Sequence, residues 1–495
     1  MALNFKLIFR ILIYMPILVS AAMLPPLLIA FFLKEETEIV AFGIPAMLFL
    51  LCGGLLLFHM SKQAVLFRCG EQGENMGIRE KIFTVAAIWI FISLAGSLPY
   101  WISGAAPQFG SALFESTSGF TATGATIFKD VESLPESILF WRSFSNWLGG
   151  LGILLLAIAF FPSLGLNGYT IANSEMVSGD LQQSNAKINR PATFLALIYL
   201  IFTLAEAGLL KIGGMSFRDA FLCSMSTVST GGFTPYNDNI GHFNSLYSEL
   251  VIAFFMILAG TNFTLYYKMH EKRKHVLIRN AEFRTYLGLI AGSVIFITAC
   301  LMILCNSSEG GAVRSAFFQV VSVLTTTGFV TADFSLWPTP CCMFLFMLSF
   351  IGGCSASTAG GIKIIRVIML FQIIRIGIYK KLHTSVVTSV KFGQQKLSPD
   401  IASNISNFYF SYFLVFLLGT FLLSLDCPDL ITAASASASC LANNGLGLGL
   451  ISGDFSYALF SEPLKIYLAF QMIAGRLETV VILLLFLPSF WRISH

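Results

Sequence analysis

The sequence predicts an all-α polytopic membrane protein: four pseudo-symmetric span–pore helix–loop–span repeats, with two further transmembrane helices in front. Three observations carry this reading. Of 495 residues, 56% are hydrophobic and 11% charged, against roughly 25% charged in soluble domains. Such a chain cannot cover its own surface with polar groups, which excludes a soluble enzyme, a disordered chain and a disulfide-stapled secreted domain. Charge-poor runs of spanning length recur along it, and four additional apolar segments rich in Ser, Thr, Ala and Gly align with one another at fixed offsets.

Taken in order, Lys6 and Arg10 precede a charge-free run at 11–33. A signal peptide's apolar region runs about 7–15 residues and a spanning helix about 20, so this run is expected to be a retained transmembrane helix. Further runs follow at 39–61, 82–103, 143–162, 191–210, 251–267, 285–308, 338–362, 401–425 and 466–488. Glu206 interrupts one, Arg476 and Glu478 the last, and 338–362 is rich in Gly and Ser. Backbone polar groups in hydrocarbon must be satisfied within the segment, so every run is expected to be helical.

The positive-inside rule orients them. With both termini in the cytoplasm, most of the 30 basic residues fall on the inner face, including Arg68, Arg79, Lys81, Lys187, Lys268, Lys272, Arg273, Lys274, Lys363, Arg366, Lys380 and Lys381. Glu35, Glu36, Glu38, Asp130, Glu132, Asp426 and Asp429 fall outside. The basic stretches at 268–284 and 363–396 suit anionic lipid. They are too short, and too closely tied to apolar segments, to indicate nucleic acid. The ten cysteines form no C-x-x-C and read as small apolar side chains. No H-E-x-x-H occurs among the six histidines, so the sequence offers no catalytic constellation and is read as not enzymatic.

The segments at 104–128, 216–234, 312–331 and 430–453 each lie between two spans, on the outer side. Anchored on Gly124, Gly232, Gly328 and Gly445, they carry Ala112, Ala220, Ala316 and Ala433 twelve residues earlier and Ser118, Ser226, Ser322 and Ser439 six residues earlier. Another small-residue pair follows in each copy: Gly149-Gly150, Ala259-Gly260, Gly352-Gly353 and Ala474-Gly475. Non-helical backbone at membrane depth persists only where it lines a cavity. Each segment is therefore expected to be a re-entrant short helix and glycine loop. This divides the chain into two N-terminal helices (1–78) and repeats at 79–180, 181–280, 281–396 and 397–495.

These glycine loops, together with the segment Gly352-Gly-Cys-Ser-Ala-Ser-Thr-Ala-Gly-Gly361, resemble the superfamily of potassium transporters that includes the bacterial Trk, Ktr and plant HKT proteins. The length and two leading helices are similar to the Trk-type membrane subunit (the TrkH/TrkG group). The resemblance implies uptake of potassium, as substrate and with no cofactor, across the bacterial inner membrane. It implies four repeats around one pore, a homodimer, and a cytosolic nucleotide-binding regulatory ring such as TrkA. Ion flow through such a pore is either channel-like or coupled to protons or sodium, and the sequence leaves both open.

A dehydrated potassium ion needs a ring of oxygens in place of its water shell. The expected filter comprises Thr121, Ala122, Thr123 and Gly124; Thr230, Gly231 and Gly232; Thr326, Thr327 and Gly328; and Asn443, Asn444 and Gly445. The Thr hydroxyls either add oxygens or brace the loops. Glu115 is expected to brace its loop and Glu206 to serve as an interhelical partner. An Arg at bilayer centre costs about 2.5–3.5 kcal/mol even on insertion scales, so Arg476 must find acceptors inside the protein. The stretch of Gly352, Gly353, Ser355, Ser357, Thr358, Gly360 and Gly361 offers them. In the family this stretch obstructs the pore below the filter, so these residues and Arg476 are the expected gate.

Overall fold

The computed structural model describes residues 3–66, 76–159, 189–270, 275–305, 308–383, 391–392, 395–396, 399–454 and 456–491. Arg68, Lys187, Lys272, Arg273 and Lys274, assigned above to the inner face, lie outside them. Among the described residues the regular elements are helices, apart from a two-residue antiparallel ladder that pairs Lys391 with Lys396 and Phe392 with Gln395. Its outer surface is apolar, with Phe32, Leu55, Ile303 and Phe410 well exposed. Many Ser, Thr and Asn side chains, and several charged ones, are instead fully buried. An apolar surface around many buried polar groups suits a protein whose solvent is lipid.

The first two helices, Phe5–Leu12 continuing as Met15–Leu33, and Glu36–Leu66, form a hairpin against the first repeat. Phe42 packs edge-on against Trp141, ring centroids 5.9 Å apart. The turn passes through Lys34 in the left-handed region. Its neighbour Glu35 accepts from the backbone N–H of Glu136 (2.9 Å) and the hydroxyl of Ser137, capping helix Glu136–Ala159 with a carboxylate where the helix dipole favours one.

Each repeat contributes an outer helix: Ile78–Ile102, Asn189–Ile212, Ala281–Cys305 and Pro399–Leu423. A short buried pore helix follows: Phe109–Phe120, Phe217–Val228, Glu309–Leu324 and Leu430–Ala442. The four re-entrant segments are thus helix followed by loop, as the offsets predicted.

In the second and fourth repeats the second helices correct the expectation of unbroken spans. Glu136–Ala159 is continuous, but Leu246–Ala259 and Phe263–His270 meet at 82°, and Glu462–Arg476 and Thr479–Phe486 at 115°. In the third repeat, Thr339–Ser349 and Ile364–Leu382 are separated by the glycine-rich stretch. In the second and fourth repeats the break falls just after the small-residue pair, and in the third the pair lies inside it. A Cβ on Gly149 would collide with the carbonyl of Phe120, and one on Gly475 with that of Leu441. The chain must approach the pore-helix end closely there, and at the second-repeat break the freed Phe263 N–H and Gly260 carbonyl are taken up by Ala356 O and Cys354 N of the next repeat. Lys363 and Arg366, read above as loop charges, are buried beneath the glycine-rich stretch.

Candidate functional site

Every pore helix ends in the same way. Ala122, Thr230, Thr326 and Asn443 adopt left-handed backbone with φ of 52°, 56°, 55° and 53°. The next residue in each repeat turns its N–H back into the helix: Thr123 to Ser118 O, Gly231 to Ser226 O, Thr327 to Ser322 O and Asn444 to Ser439 O, at 2.8–3.0 Å. This is the Schellman closure. The serine found six residues before each anchor glycine therefore sits where the helix must surrender a carbonyl to its own loop.

The anchor glycines follow, with φ of 79°, 73°, 80° and 81° at Gly124, Gly232, Gly328 and Gly445. Alternating positive and negative φ turns successive carbonyls toward one side, and only glycine takes the last position without strain. The glycines also close the ring. A Cβ on Gly124 would strike Gly231 O, one on Gly232 Thr327 O, one on Gly328 Asn444 O, and one on Gly445 Thr123 O. Each loop lies against the carbonyl of the next, and the fourth returns to the first. The fourth loop, the most divergent in sequence, keeps the common backbone form.

The hydroxyls are used within the protein. Thr121 and Thr123 share a hydrogen bond of 2.7 Å, and Thr325 and Thr327 one of 2.8 Å. Asn443 Nδ2 donates to Thr123 Oγ1 and to Met472 O, both at 3.0 Å, joining the fourth loop to the first. Asn444 Nδ2 reaches Val323 O at 3.4 Å. Outside the ring lies a cavity of about 210 Å³ bordered by all four anchor glycines and by Lys129, Arg142, Tyr236 and Asn237.

Glu115 braces its loop, as expected, through Ile127 N (3.0 Å) and Thr126 Oγ1. Its ion-pair partner, Arg142 at 2.8 Å, was missed. Arg142 had marked the boundary of the apolar run 143–162, whereas the helix begins at Glu136 and Arg142 is 2% exposed. Glu206 is fully buried, facing Thr227 of the helix Phe217–Val228.

Directly inside the ring runs the stretch 352–361, buried from Gly352 to Gly360. Its ends are pinned by Gly352 N to Ile362 O (3.0 Å) and Ile362 N to Phe350 O (2.9 Å). Between them its polar groups are engaged by the second, third and fourth repeats. Ser355 donates from N (2.6 Å) and Oγ (2.8 Å) to the carboxylate of Glu282, and Asn262 Nδ2 donates to Ser355 Oγ. Cys354 N donates to Gly260 O, and Ala356 O accepts from Phe263 N, filling the break in the second repeat. Ser357 Oγ turns inward to Cys354 O. Thr358 Oγ1 lies 3.2 Å from Val228 O, at the end of the second pore helix, and 3.2 Å from Ala259 O. Gly353 and Gly360 lie where a Cβ would meet Gly260 O and Ala442 O, and Gly361 takes φ of 62°. Gly360 N donates to Thr326 Oγ1 at 2.7 Å, so the stretch touches the third glycine loop itself.

Arg476, at the break in the last helix, donates from Nη1 to Thr358 O at 2.7 Å. Below it, Lys363 Nζ donates to Ala359 O, and Arg366 pairs with Glu478 at 2.7 Å while stacking over Phe408. Glu478 occupies the 115° bend with φ of 71°. Glu282, Asn262, Arg366 and Glu478 escaped the sequence reading. The only local signal was that Glu282 and Arg366 stand near the margin of an apolar run and Glu478 inside one.

The profile of the TrkH family, described as cation transport protein, matches residues 51–493. The chain is 33% identical to the Trk system potassium uptake protein TrkH of Halomonas elongata, over 99% of this chain and all of that one. It is 34% identical to the Trk system potassium uptake protein TrkG of Escherichia coli, over 96% of each. A crystal structure of the potassium transporter TrkH from Vibrio parahaemolyticus superposes with a TM-score of 0.88 at 31% identity, covering 99% of this chain and 100% of that one.

Proposed function

The chain belongs to the TrkH family of cation transport proteins, and from that premise we propose that it takes up potassium across the bacterial plasma membrane, with the four glycine loops as its selectivity filter and the stretch 352–361 as its gate. It is a multi-pass membrane protein of a transporter family, not an enzyme family. The observation that carries the reading is the ring in which each anchor glycine lies against the carbonyl of the next loop. Backbone carbonyls in such a ring replace water around a dehydrated cation. The pore helices end at the ring, so their C-terminal carbonyls, worth about half a negative charge each, favour a cation at its inner side without a fixed carboxylate. One glycine per loop and four unlike loops make this filter shorter and less stringent than four identical ones.

The proposal places both termini in the cytoplasm. There the helix Ile364–Leu382, which carries Lys380 and Lys381 in its last turn, offers a docking surface to lipid headgroups and to a nucleotide-binding regulatory subunit. Rubidium uptake into proteoliposomes tests transport: uptake should exceed that of empty vesicles and be suppressed by external potassium far more than by sodium. Uptake equal to that of empty vesicles overturns the assignment. Imposing pH or sodium gradients separates the two modes, since a coupled symporter responds to them beyond the accompanying membrane potential and a channel does not.

Each chain holds a complete ring, so the homodimer proposed from the family should contain two independent paths. Co-reconstituting parent chains with gate-locked chains is expected to give uptake proportional to the parent fraction. Loss in proportion to the square of that fraction contradicts independent paths.

A further inference from the structure

We propose that Arg142 is a positioning residue for the filter: its guanidinium ties the first glycine loop to the second and so sets how sharply the pore separates potassium from sodium. The inference rests on the filter reading above. Three different nitrogens of one side chain make three bonds: Nε to Glu115 Oε1 (2.8 Å), Nη2 to Thr126 Oγ1 (3.2 Å) and Nη1 to Thr234 O (3.1 Å). Thr126 and Thr234 are equivalent, each standing two residues beyond its anchor glycine, Gly124 or Gly232. The fork therefore joins matching points on adjacent loops, at the same junction where Gly124 meets Gly231 O. Phe233 supports the guanidinium from one face, 4.2 Å away.

This device belongs to one repeat. Nine residues before the anchors, the counterparts of Glu115 are Cys223, Gln319 and Ala436; seven before the second small-residue pairs, those of Arg142 are Ile252, Leu345 and Tyr467. None of these pairs can form an ion pair. The second and third loops are joined by backbone, with Ile240 N and Gly241 N donating to Val330 O, and the fourth and first by Tyr457 N to Thr126 O together with Asn443 Nδ2 to Thr123 Oγ1. Among the described residues the first-to-second junction is instead made by side chains: Arg142 beside the ring and, farther out, Asn237, which accepts from Val131 N (2.7 Å) and donates to Asp130 Oδ1 (2.9 Å). A guanidinium is donor-only and cannot ligand a cation. Its influence on the ion must pass through the loops that it holds or through its charge, and Glu115 compensates that charge.

Arg142→Lys separates the two routes, because it keeps the charge and loses the planar fork. The pair is buried, and removing one partner strands the other, so the second variant is the double replacement Glu115→Gln with Arg142→Gln, which strands neither. Each is reconstituted beside the parent and Gly232→Ser, with rubidium and sodium uptake measured and folding followed by thermal melting in detergent. Both variants should raise sodium uptake relative to rubidium about fivefold, the factor that corresponds to one net hydrogen bond of ~1 kcal/mol. A lowered melting temperature with the parent's ratio in both overturns the proposal and leaves Arg142 a stability residue. A parent ratio in Arg142→Lys with a raised one in the double variant also overturns it, in favour of charge. An unchanged ratio in Gly232→Ser as well would locate the failure in the filter reading. Should Arg142→Lys not assemble, Thr126→Val, which removes one strut, must raise the ratio in its place.

Discussion

Replacing Gly232 with Ser raises sodium entry relative to rubidium about tenfold, the ratio that corresponds to 1.4 kcal/mol. Two costs act together. Residue 232 holds φ of 73°, a conformation that costs a side-chain-bearing residue roughly 1–2 kcal/mol. A Cβ there would also run into the carbonyl of Thr327. The second and third loops must part or turn, and a site with displaced carbonyls fits the ion less well. If the ring is the proposed filter, sodium, whose shell it replaces incompletely, loses less from a loosened ring than potassium does. Gly208→Ser is the matched control, since a Cβ at that exposed helical position meets nothing within 4 Å. Ratios measured in proteoliposomes should match the parent for Gly208→Ser and depart from it for Gly232→Ser. If both match, residue 232 does not belong to the filter.

How far the sequence could be read depended on whether a constraint left a periodic trace. The anchor glycines are each required by the same contact with a neighbouring carbonyl, and the serines before them by the same helix closure, so a fourfold geometry left a fourfold pattern. The small-residue pairs follow from close approach to the pore-helix ends. What stayed hidden were pairings made once, between distant residues. Arg366 finds Glu478 across 112 positions and Ser355 finds Glu282 across 73, and nothing in either neighbourhood announces the other. The bend after Ala259 was equally hidden. The run around it is apolar throughout, and the break is stabilised by Ala356 of the next repeat, which accepts the N–H that the helix releases. Charges were misread for a related reason. Arg142 and Glu282 bound apolar runs and looked like ends of spans, yet each is buried with partners in another segment, and Lys363 is buried against Ala359 O of its own stretch. In a membrane protein that surrounds a polar axis, a charge beside an apolar run marks either the aqueous boundary or the interior, and composition alone does not separate the two.

Changing Arg476 to Ala, or deleting Ala356 and Ser357, is expected to raise rubidium uptake about tenfold in proteoliposomes lacking any regulatory subunit. The stretch 352–361 is held by hydrogen bonds that cross repeat boundaries, and the one from Arg476 Nη1 to Thr358 O is charge-assisted. Bonds of that kind contribute about 1.5–3 kcal/mol, enough to shift a two-state balance tenfold or more. Arg476 also stands at the break of the last helix, beside the Arg366–Glu478 pair that ties the bend to the helix leading inward. A cytosolic subunit acting on that helix would therefore pull on the same contacts, and the altered chains should respond to it less. Loss of positive charge near the path would also raise cation flux, with no change in the gate. Arg476→Lys keeps the charge while giving up the fork geometry. It should sit near Arg476→Ala if the hydrogen bond holds the gate, and near the parent if repulsion is responsible. The deletion adds an independent reading. Its ends remain pinned at Gly352 and Ile362, so a shortened stretch must draw away from Thr326, to which Gly360 donates. Flux should rise and sodium discrimination should weaken in the same protein. A deletion variant that reaches the membrane folded yet conducts no faster than the parent would place the barrier elsewhere along the axis.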